Sequence, residues 1–285
     1  MKSPVIYLVI AVLIGQHSFS QGITPFSLFD AHGKKVKYQK ILNKALSQDL
    51  VFFGEEHNSA ISHWLQLRLV KDCAKSKSLV LGAEMIERDN QDELDAYLQN
   101  KITSKQLDST ARLWPNYKTD YKPLVDFAKE NKFPFIGTNI PRRFASLVSK
   151  KGFAILDSLS TEEKTWIAPL PILYDEELPC YKNMLTMMPG HSSPNLPKAQ
   201  AIKDATMAHF TLAHMKANTL FIHFNGSYHS ENNEGIIWYL RKASPKSRIL
   251  TITTVTQSQI KTLDEEHFGK ANYIICVDED MTRTH

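Results

Sequence analysis

The chain of 285 residues is 42% hydrophobic and carries a formal charge of +4 at neutral pH. This composition suffices for one large domain with a hydrophobic core and excludes a disordered chain. Lysines and arginines are interspersed with acidic residues, so no basic face indicates binding to nucleic acid. Cys73, Cys180 and Cys276 are scattered along the chain, so at most one disulfide can form, and we expect small buried side chains.

The amino terminus predicts export from the cell. Lys2 precedes an apolar run from Val5 to Ile14, and a short polar stretch follows, which is typical of a secretory signal peptide. We therefore expect residues 1–21 to be removed and residues 22–285 to form a single domain. The apolar run is too short for a permanent membrane helix, and no nearby cysteine could receive a lipid. The expected location is periplasmic or secreted, without a lipid anchor.

Beyond the leader, short apolar runs alternate with longer amphipathic ones. This alternation predicts an α/β fold with a mostly parallel central sheet and flanking helices. The basic cluster Lys34-Lys35-Val36-Lys37 precedes the first predicted core strand and is expected to form a solvated hairpin or arm. The predicted strands are Leu50–Phe53, Leu79–Ala83, Phe133–Gly137, Thr219–Phe224, Arg248–Thr253 and Tyr273–Val277. The predicted helices are Ser59–Ala74, Arg88–Gln99, Tyr121–Asn131, Arg142–Lys150, Lys198–Ala217 and Glu234–Lys242, with Ser59 and Asp120 as amino-terminal caps.

The segment from Ser158 to Pro197 breaks the alternation. It is rich in proline, and its large side chains follow no clean period, so we interpret residues 158–197 as an inserted helical lid within the same domain. Its tyrosine, methionine and histidine side chains are Tyr174, Tyr181, Met184, Met187, Met188 and His191.

Unusual polar residues follow four of the predicted strands. The segments are Gly54-Glu55-Glu56-His57, Gly82-Ala83-Glu84-Met85, residues 137–143 and Asn225-Gly226-Ser227-Tyr228-His229. Because the carboxyl ends of parallel strands form one edge of a sheet, we expect these side chains to meet at one site. Asp204, on the helix before the fourth strand, could approach that site, whereas His223 lies inside the strand and is expected to be an ordinary buried histidine.

Two histidines and one or two carboxylates are the usual ligand set for a divalent metal with an open position, and the candidates are His57, His229, Glu55 and Glu84. Glu55 and His57 are two residues apart, so both project to one face of an extended segment. In a metal-dependent hydrolase, Glu84 and Arg142 would be the catalytic residues, with Arg142 or Arg143 stabilising an anion. Alternatively, Glu84 and Arg142 form a structural ion pair, and the histidines are ordinary polar residues. The sequence contains no Gly-x-Ser-x-Gly elbow, so it does not indicate a serine hydrolase.

An ordered set of motifs runs through most of the chain. It comprises Gly54-Glu55-x-His57, Ala83-Glu84-Met85-x-Glu87-Arg88, Gln91, Trp114, Tyr117, Tyr121, Asn139-x-Pro141-Arg142, residues 200–208 and Asn225-Gly226-Ser227-Tyr228-His229. This order resembles the ChaN-like haem-binding family, which is grouped with the TraB/TIKI and erythromycin-esterase-like proteins. Metalloprotease or esterase members of those groups carry two Gly-x-x-His turns and a glutamate that are similar to His57, His229 and Glu84.

The resemblance implies that haem is the bound cofactor. It also implies haem or iron acquisition at the bacterial envelope, with a homodimer stacking two haems and an outer-membrane uptake system as partners. Many members of the family are lipoproteins, and this chain departs from them because its leader lacks a cysteine.

Haem requires an apolar slot and an axial ligand. The candidate haem-contacting residues are Tyr174, Tyr181 and His191 in the lid, together with Tyr117 and Tyr121 before a predicted helix. The alternative is that these tyrosines fill the core. No Cys-x-x-Cys-His motif is present, so a bound haem would be noncovalent. Haem binding is the favoured function because of the resemblance, and a metal-dependent hydrolase is the alternative.

Overall fold

The computed structural model describes residues 23–187 and 193–285. The expected leader and two lid residues, Met188 and His191, lie outside the described residues. Across the two described ranges, no helix combines the length and apolar character needed to cross a bilayer. The three cysteines are buried and unpaired, which confirms them as small core residues.

A seven-stranded sheet forms the centre of the fold, in the order β1-β7-β6-β2-β5-β3-β4. All neighbouring strands are parallel except β1, which is antiparallel to β7. The strands are β1 (Phe26–Asp30), β2 (Leu50–Glu55), β3 (Ser78–Glu87), β4 (Phe135–Asn139), β5 (Thr219–Gly226), β6 (Ile249–Gln257) and β7 (Tyr273–Asp278).

Helices cover both faces of the sheet. They are α1 (Tyr38–Leu46), α2 (Ala60–Ala74), α3 (Gln91–Leu98), α4 (Ser104–Thr110), α5 (Lys122–Glu130), α6 (Arg142–Lys151), α7 (Thr161–Lys164), α8 (Pro179–Met187), α9 (Leu196–Ala213) and α10 (Ile236–Ala243). Ser59 caps α2 through its side chain, as predicted. Asp120 is not the cap of α5, because a π-helical turn at Tyr117–Tyr121 leads directly into that helix.

The central strands are apolar on both faces because each face is covered. Val51 and Phe53 pack with α1, α2, α3 and α5, whereas Leu50 and Phe52 pack with α8, α9 and α10. Successive side chains of a strand point to opposite faces, so one run of apolar residues fills both cores. This arrangement confirms the predicted α/β class with a mostly parallel sheet.

The fold differs from the sequence prediction at several elements, including α4, which was not predicted, and β3, which continues to Glu87 instead of Ala83. Strand β1 and helix α1 were not predicted; β1 pairs only at the edge of the sheet, and the basic cluster after it forms the expected hairpin, with Lys35 bridging to Phe29. Strand β4 begins at Phe135 instead of Phe133, because Pro134 has no N–H to donate, although its carbonyl accepts from Leu81.

The predicted lid is an integral layer of the domain. It contributes α7 and α8, and α8 packs against α9. Tyr181 on α8 is fully buried in the core that covers one face of the sheet. The segment therefore forms one wall of the strand-end region.

Candidate functional site

Four polar turns converge at one edge of the sheet, as the sequence predicted. Strands β2, β5, β3 and β4 are consecutive neighbours and run parallel, so their carboxyl ends lie side by side. Glu55 at the end of β2 is opposite Gly226 at the end of β5. A β-bulge in β3 after Ala83 marks the point where Glu84 enters this group.

Glu55 holds the ring of His57. Its Oε1 accepts hydrogen bonds from His57 Nδ1 at 2.9 Å and from the Tyr121 hydroxyl at 2.6 Å, and its Oε2 accepts from Gln66. The Glu55 side chain is buried, so the contact between Glu55 and His57 is shielded from water. Glu56 points away and accepts a hydrogen bond from Thr256, as its position in the strand predicts.

A second network fixes the backbone of the His57 turn. The His57 carbonyl lies 3.0 Å from His63 Nε2 and accepts from Asn116 Nδ2 at 3.1 Å. Asp120 contacts both of these side chains, at 3.4 Å and 2.7 Å. The π-helical turn at Tyr117–Tyr121 supplies Asp120 to this network, in line with the frequent occurrence of such turns at functional sites.

His229 lies between two buried carboxylates. Its Nε2 is 3.2 Å from Glu84 Oε1, and its Nδ1 is hydrogen-bonded to Asp204. Tyr181 donates to Asp204 at 2.9 Å, and the amide nitrogen of Gln200 lies 3.0 Å from the His229 ring. Asp204 therefore approaches the site from α9, as its position predicted.

These contacts shift the pKa values of both histidines upward. Burial lowers the pKa of His229, but the charges of Glu84 and Asp204 raise it to about 10. Burial also lowers the pKa of His57, yet the hydrogen bond with Glu55 and the charge of Glu84 raise it above the usual value. Although burial raises the pKa of Glu84, His229 and His57 hold it well below its usual range. Burial and the charge of Glu84 raise the pKa of Asp204, so Asp204 is the more easily protonated partner of His229.

We expect stability to fall between pH 6.5 and about 10 because of His229. Its folded-state pKa lies above its ordinary value of 6.5, so its contribution is complete below pH 6.5 and is lost as pH rises through about 10. One proton gives a slope of at most about 1.4 kcal/mol per pH unit. Urea unfolding across this range measures the slope, and it should be smaller in the His229→Gln variant, in which the raised pKa of His57 still contributes. An equal slope in that variant would contradict the assignment.

Gly226 leaves a small gap between His57 and Glu84. A Cβ at this position would lie 2.8 Å from His57 Nε2 and 3.6 Å from Glu84 Oε2. The Gly226 N–H donates to Glu84 Oε2 at 2.8 Å. Residue 226 therefore has to be glycine for His57 Nε2 and Glu84 to face the same space.

A cleft of about 800 Å³ opens beside His57. One wall is the segment Leu113-Trp114-Pro115, and the Trp114 ring lies 4.8 Å from the His57 ring in an edge-to-face contact. Helix α6 provides the other wall with Arg142, Arg143 and Ser146, while Arg112 and Glu87 complete the lining. The cleft thus combines an apolar surface with positive charge, next to a half-exposed histidine.

The structure pairs Glu84 with His229 and not with Arg142, so the alternative of a Glu84–Arg142 ion pair is wrong. Strand β5 lies between β2 and β3, which brings the His229 turn against Glu84. Arg142 begins α6 after β4, one strand further along, and lines the cleft. His223 is a buried histidine bonded to Thr138 and Asn225, with its pKa lowered by burial to about 4, as expected of a core residue.

The predicted haem-contacting tyrosines lie in the two cores. Tyr117 and Tyr121 belong to the core on one face of the sheet, and Tyr181, with Tyr174 packed against it, to the core on the other face. The hydroxyls of Tyr121 and Tyr181 are bonded to Glu55 and Asp204. The Tyr117 hydroxyl is buried without a hydrogen-bond partner among the described residues. Haem contact by these tyrosines and by His191 stays a prediction.

The four predicted metal ligands are engaged with other side chains. His57 is bonded to Glu55 and His229 to Glu84, so His57, His229, Glu55 and Glu84 form two neighbouring pairs. Among the described residues, the group with three donor atoms close enough to share an ion is a different one, Asp264, Glu266 and His267. A divalent metal at the strand-end site stays a prediction.

The sheet and its strand-end site define an α/β protein of the class in which ligands commonly bind outside the carboxyl ends of parallel strands. The chain belongs to the family described as haem-binding uptake, Tiki superfamily, ChaN, whose model matches residues 41–240. This match confirms the family that the motifs indicated. A comparison with curated proteins gives no match.

Solved structures share the fold. A structure of cofacial haem binding to ChaN of Campylobacter jejuni is 18% identical and covers 89% of this chain and 97% of that one, with a TM-score of 0.66. A Bacillus cereus protein is 13% identical and covers 84% of this chain and 90% of that one, with a TM-score of 0.52.

Proposed function

We propose that this protein binds haem noncovalently in the cleft beside His57. Membership of a haem-binding uptake family supports this function, and so does the fold shared with ChaN of Campylobacter jejuni, whose structure concerns cofacial haem binding. The cleft is the observation that carries the proposal, because it fits the chemistry of haem.

Haem is a flat, largely apolar ring with two acidic propionates on one edge. The cleft offers the indole of Trp114 and the apolar side chains of Leu113 and Pro115 for the ring, and arginines for the acidic edge. Its volume of about 800 Å³ lies within the usual range of small-molecule sites. The residues that line the cleft therefore fit the chemistry of haem.

The chain's own residues would prepare this site in two ways. Trp114, which packs against both His57 and Tyr121, gives the cleft a firm apolar wall. Glu55 accepts a hydrogen bond from the Nδ1–H of His57. This bond fixes the ring and leaves Nε2 directed at the gap beside Gly226. A bound haem would supply redox-active iron.

The cellular role is part of the same proposal. The leader-like amino terminus supports a periplasmic or secreted location, and the family's uptake description supports a role in haem or iron acquisition. A homodimer and an outer-membrane uptake system are the partners we propose for that role.

Haemin titration of the purified protein, followed at the Soret band, tests the proposal. The native chain should give a saturable shift, and Trp114→Ala should weaken binding about tenfold, because an aromatic stacking surface is removed. The matched control is Trp238→Ala on α10, whose tryptophan packs against Tyr239 outside the cleft, and it should bind as the native chain does. Equal losses in both variants would contradict placement of haem in this cleft.

The buried pairs around His229 favour a metal-dependent hydrolase as the second candidate. Ionisable side chains with shifted pKa values concentrate at catalytic sites, and Glu84, His57 and His229 meet this description. In that function Glu84 and Arg142 would be the catalytic residues. A folded protein without a saturable Soret shift would make the hydrolase the better candidate.

A further inference from the structure

The three arginines that line the cleft differ in their partners. Arg112 donates to Glu87 at 3.1 Å and also to Asp89. Arg143 donates to the other oxygen of Asp89 at 2.5 Å. Asp89 therefore binds the guanidinium groups of both Arg112 and Arg143. Each of these two arginines already has an acidic partner.

Arg142 is the exception. Its side chain is exposed at the first position of α6 and, within the described parts of the chain, has neither a hydrogen bond nor an ion pair. The three arginines carry three positive charges, and Glu87 and Asp89 carry two negative ones, which leaves one unbalanced positive charge (3 − 2 = 1). That charge belongs to Arg142.

The backbone around Arg142 is held firmly, although its side chain is exposed. The preceding Pro141 is buried and fixes the entry to α6, and Phe144 and Ala145 anchor that helix in the core. Arg143, in contrast, lies over the rings of Phe144 and Trp166, at 4.4 Å and 5.4 Å from their centres. Arg142 thus presents a charge to the cleft from a rigid base, whereas Arg143 is part of the wall.

From this asymmetry we infer that Arg142 binds a free carboxylate of the ligand and makes the site selective for a porphyrin with ionised propionates. A guanidinium binds a carboxylate through two parallel hydrogen bonds, which gives both affinity and orientation. Arg112 and Arg143 would have to give up Asp89 or Glu87 to do the same, whereas Arg142 has no such partner among the described residues. This inference rests on haem binding in the cleft and specifies which group of the ligand is recognised.

Titrations of the full chain with haemin and with haemin dimethyl ester test the inference. The native protein should bind haemin about tenfold or more tightly than the ester, because the ester has no charged carboxylate. Arg142→Gln should lose this preference by weakening haemin binding to the level of the ester, and Arg142→Lys should retain part of it. Arg143→Gln should weaken haemin binding less than about threefold, since its guanidinium is already paired with Asp89.

Lys150→Gln is the control for net charge. Lys150 is exposed on the same helix and does not line the cleft, so its removal should leave both affinities unchanged. Equal binding of haemin and ester by the native protein, or equal losses of haemin affinity in the Arg142 and Lys150 variants, would overturn the inference while leaving haem binding intact. Absence of a saturable shift with either porphyrin would instead overturn the proposed function itself.

Discussion

Replacing His229 with alanine should lower the free energy of unfolding by about 3–5 kcal/mol, the loss typical of breaking a buried ion pair by removing one partner. The imidazole is the counter-charge of both Glu84 and Asp204, and all three side chains are almost completely buried. Without it, the two carboxylates would either repel each other in a low-dielectric environment or take up protons. Urea unfolding at neutral pH measures the loss.

His214→Ala is the matched control for this prediction. His214 caps the end of α9, is partly buried, and its ring contacts the carbonyl of Phe210 one turn earlier. Its removal should cost less than about 1 kcal/mol, as is usual for substitutions near the surface. Similar losses in the two variants would show that His229 is not an essential counter-charge, and His229→Gln offers a less disruptive substitution for the same comparison.

Gly226→Ala should lower the free energy of unfolding by about 1–3 kcal/mol, the usual cost of overpacking. The backbone angles of Gly226, φ −56° and ψ 138°, are open to any residue, so the cost is steric and comes from His57. The His57 ring cannot shift freely, because Glu55 holds its Nδ1. Denaturant unfolding of the variant measures the loss of stability, and haemin titration measures the effect on haem affinity.

A double-mutant cycle with His57→Ala isolates that contact. In the His57→Ala background the added methyl group has room, and Gly226→Ala should then cost less than about 0.5 kcal/mol. An unchanged cost in both backgrounds would mean that the methyl group meets something other than the His57 ring.

The sequence predicted those parts of the site that depend on local period and on parallel-sheet geometry. Four polar turns after four buried strands had to meet at one edge, and Glu55 and His57 had to share a face. Asp204 was expected near this edge from its position on the helix, and His223 in the core. These features follow from the two-residue period of a strand and from the common direction of parallel strands.

The pairing of the site's side chains with one another could not be predicted, because it depends on the order of the strands in the sheet. With β5 between β2 and β3, Glu84 meets His229, and Arg142 is left to the cleft. The cleft lies between residues 112–115 and helix α6. No periodic pattern in the sequence relates these two segments, so the cleft could not be predicted. One signal was available but missed: His63 and Gln66 are polar residues at core-facing positions of α2, and both support the His57 turn.

The π-helical turn at Tyr117–Tyr121 gives a criterion for reading related sequences. A π turn contains one residue more than an α turn, so a relative that lacks a single residue here would continue as an ordinary α-helix. An α turn completes about the same rotation with one residue fewer, so α5 would keep its phase while one side chain of the turn is lost, and Asp120 and Tyr121 could no longer both reach His63 and Glu55. A one-residue gap at this point of an alignment therefore marks a relative whose His57 has lost part of its support, even where both Gly-x-x-His turns are retained.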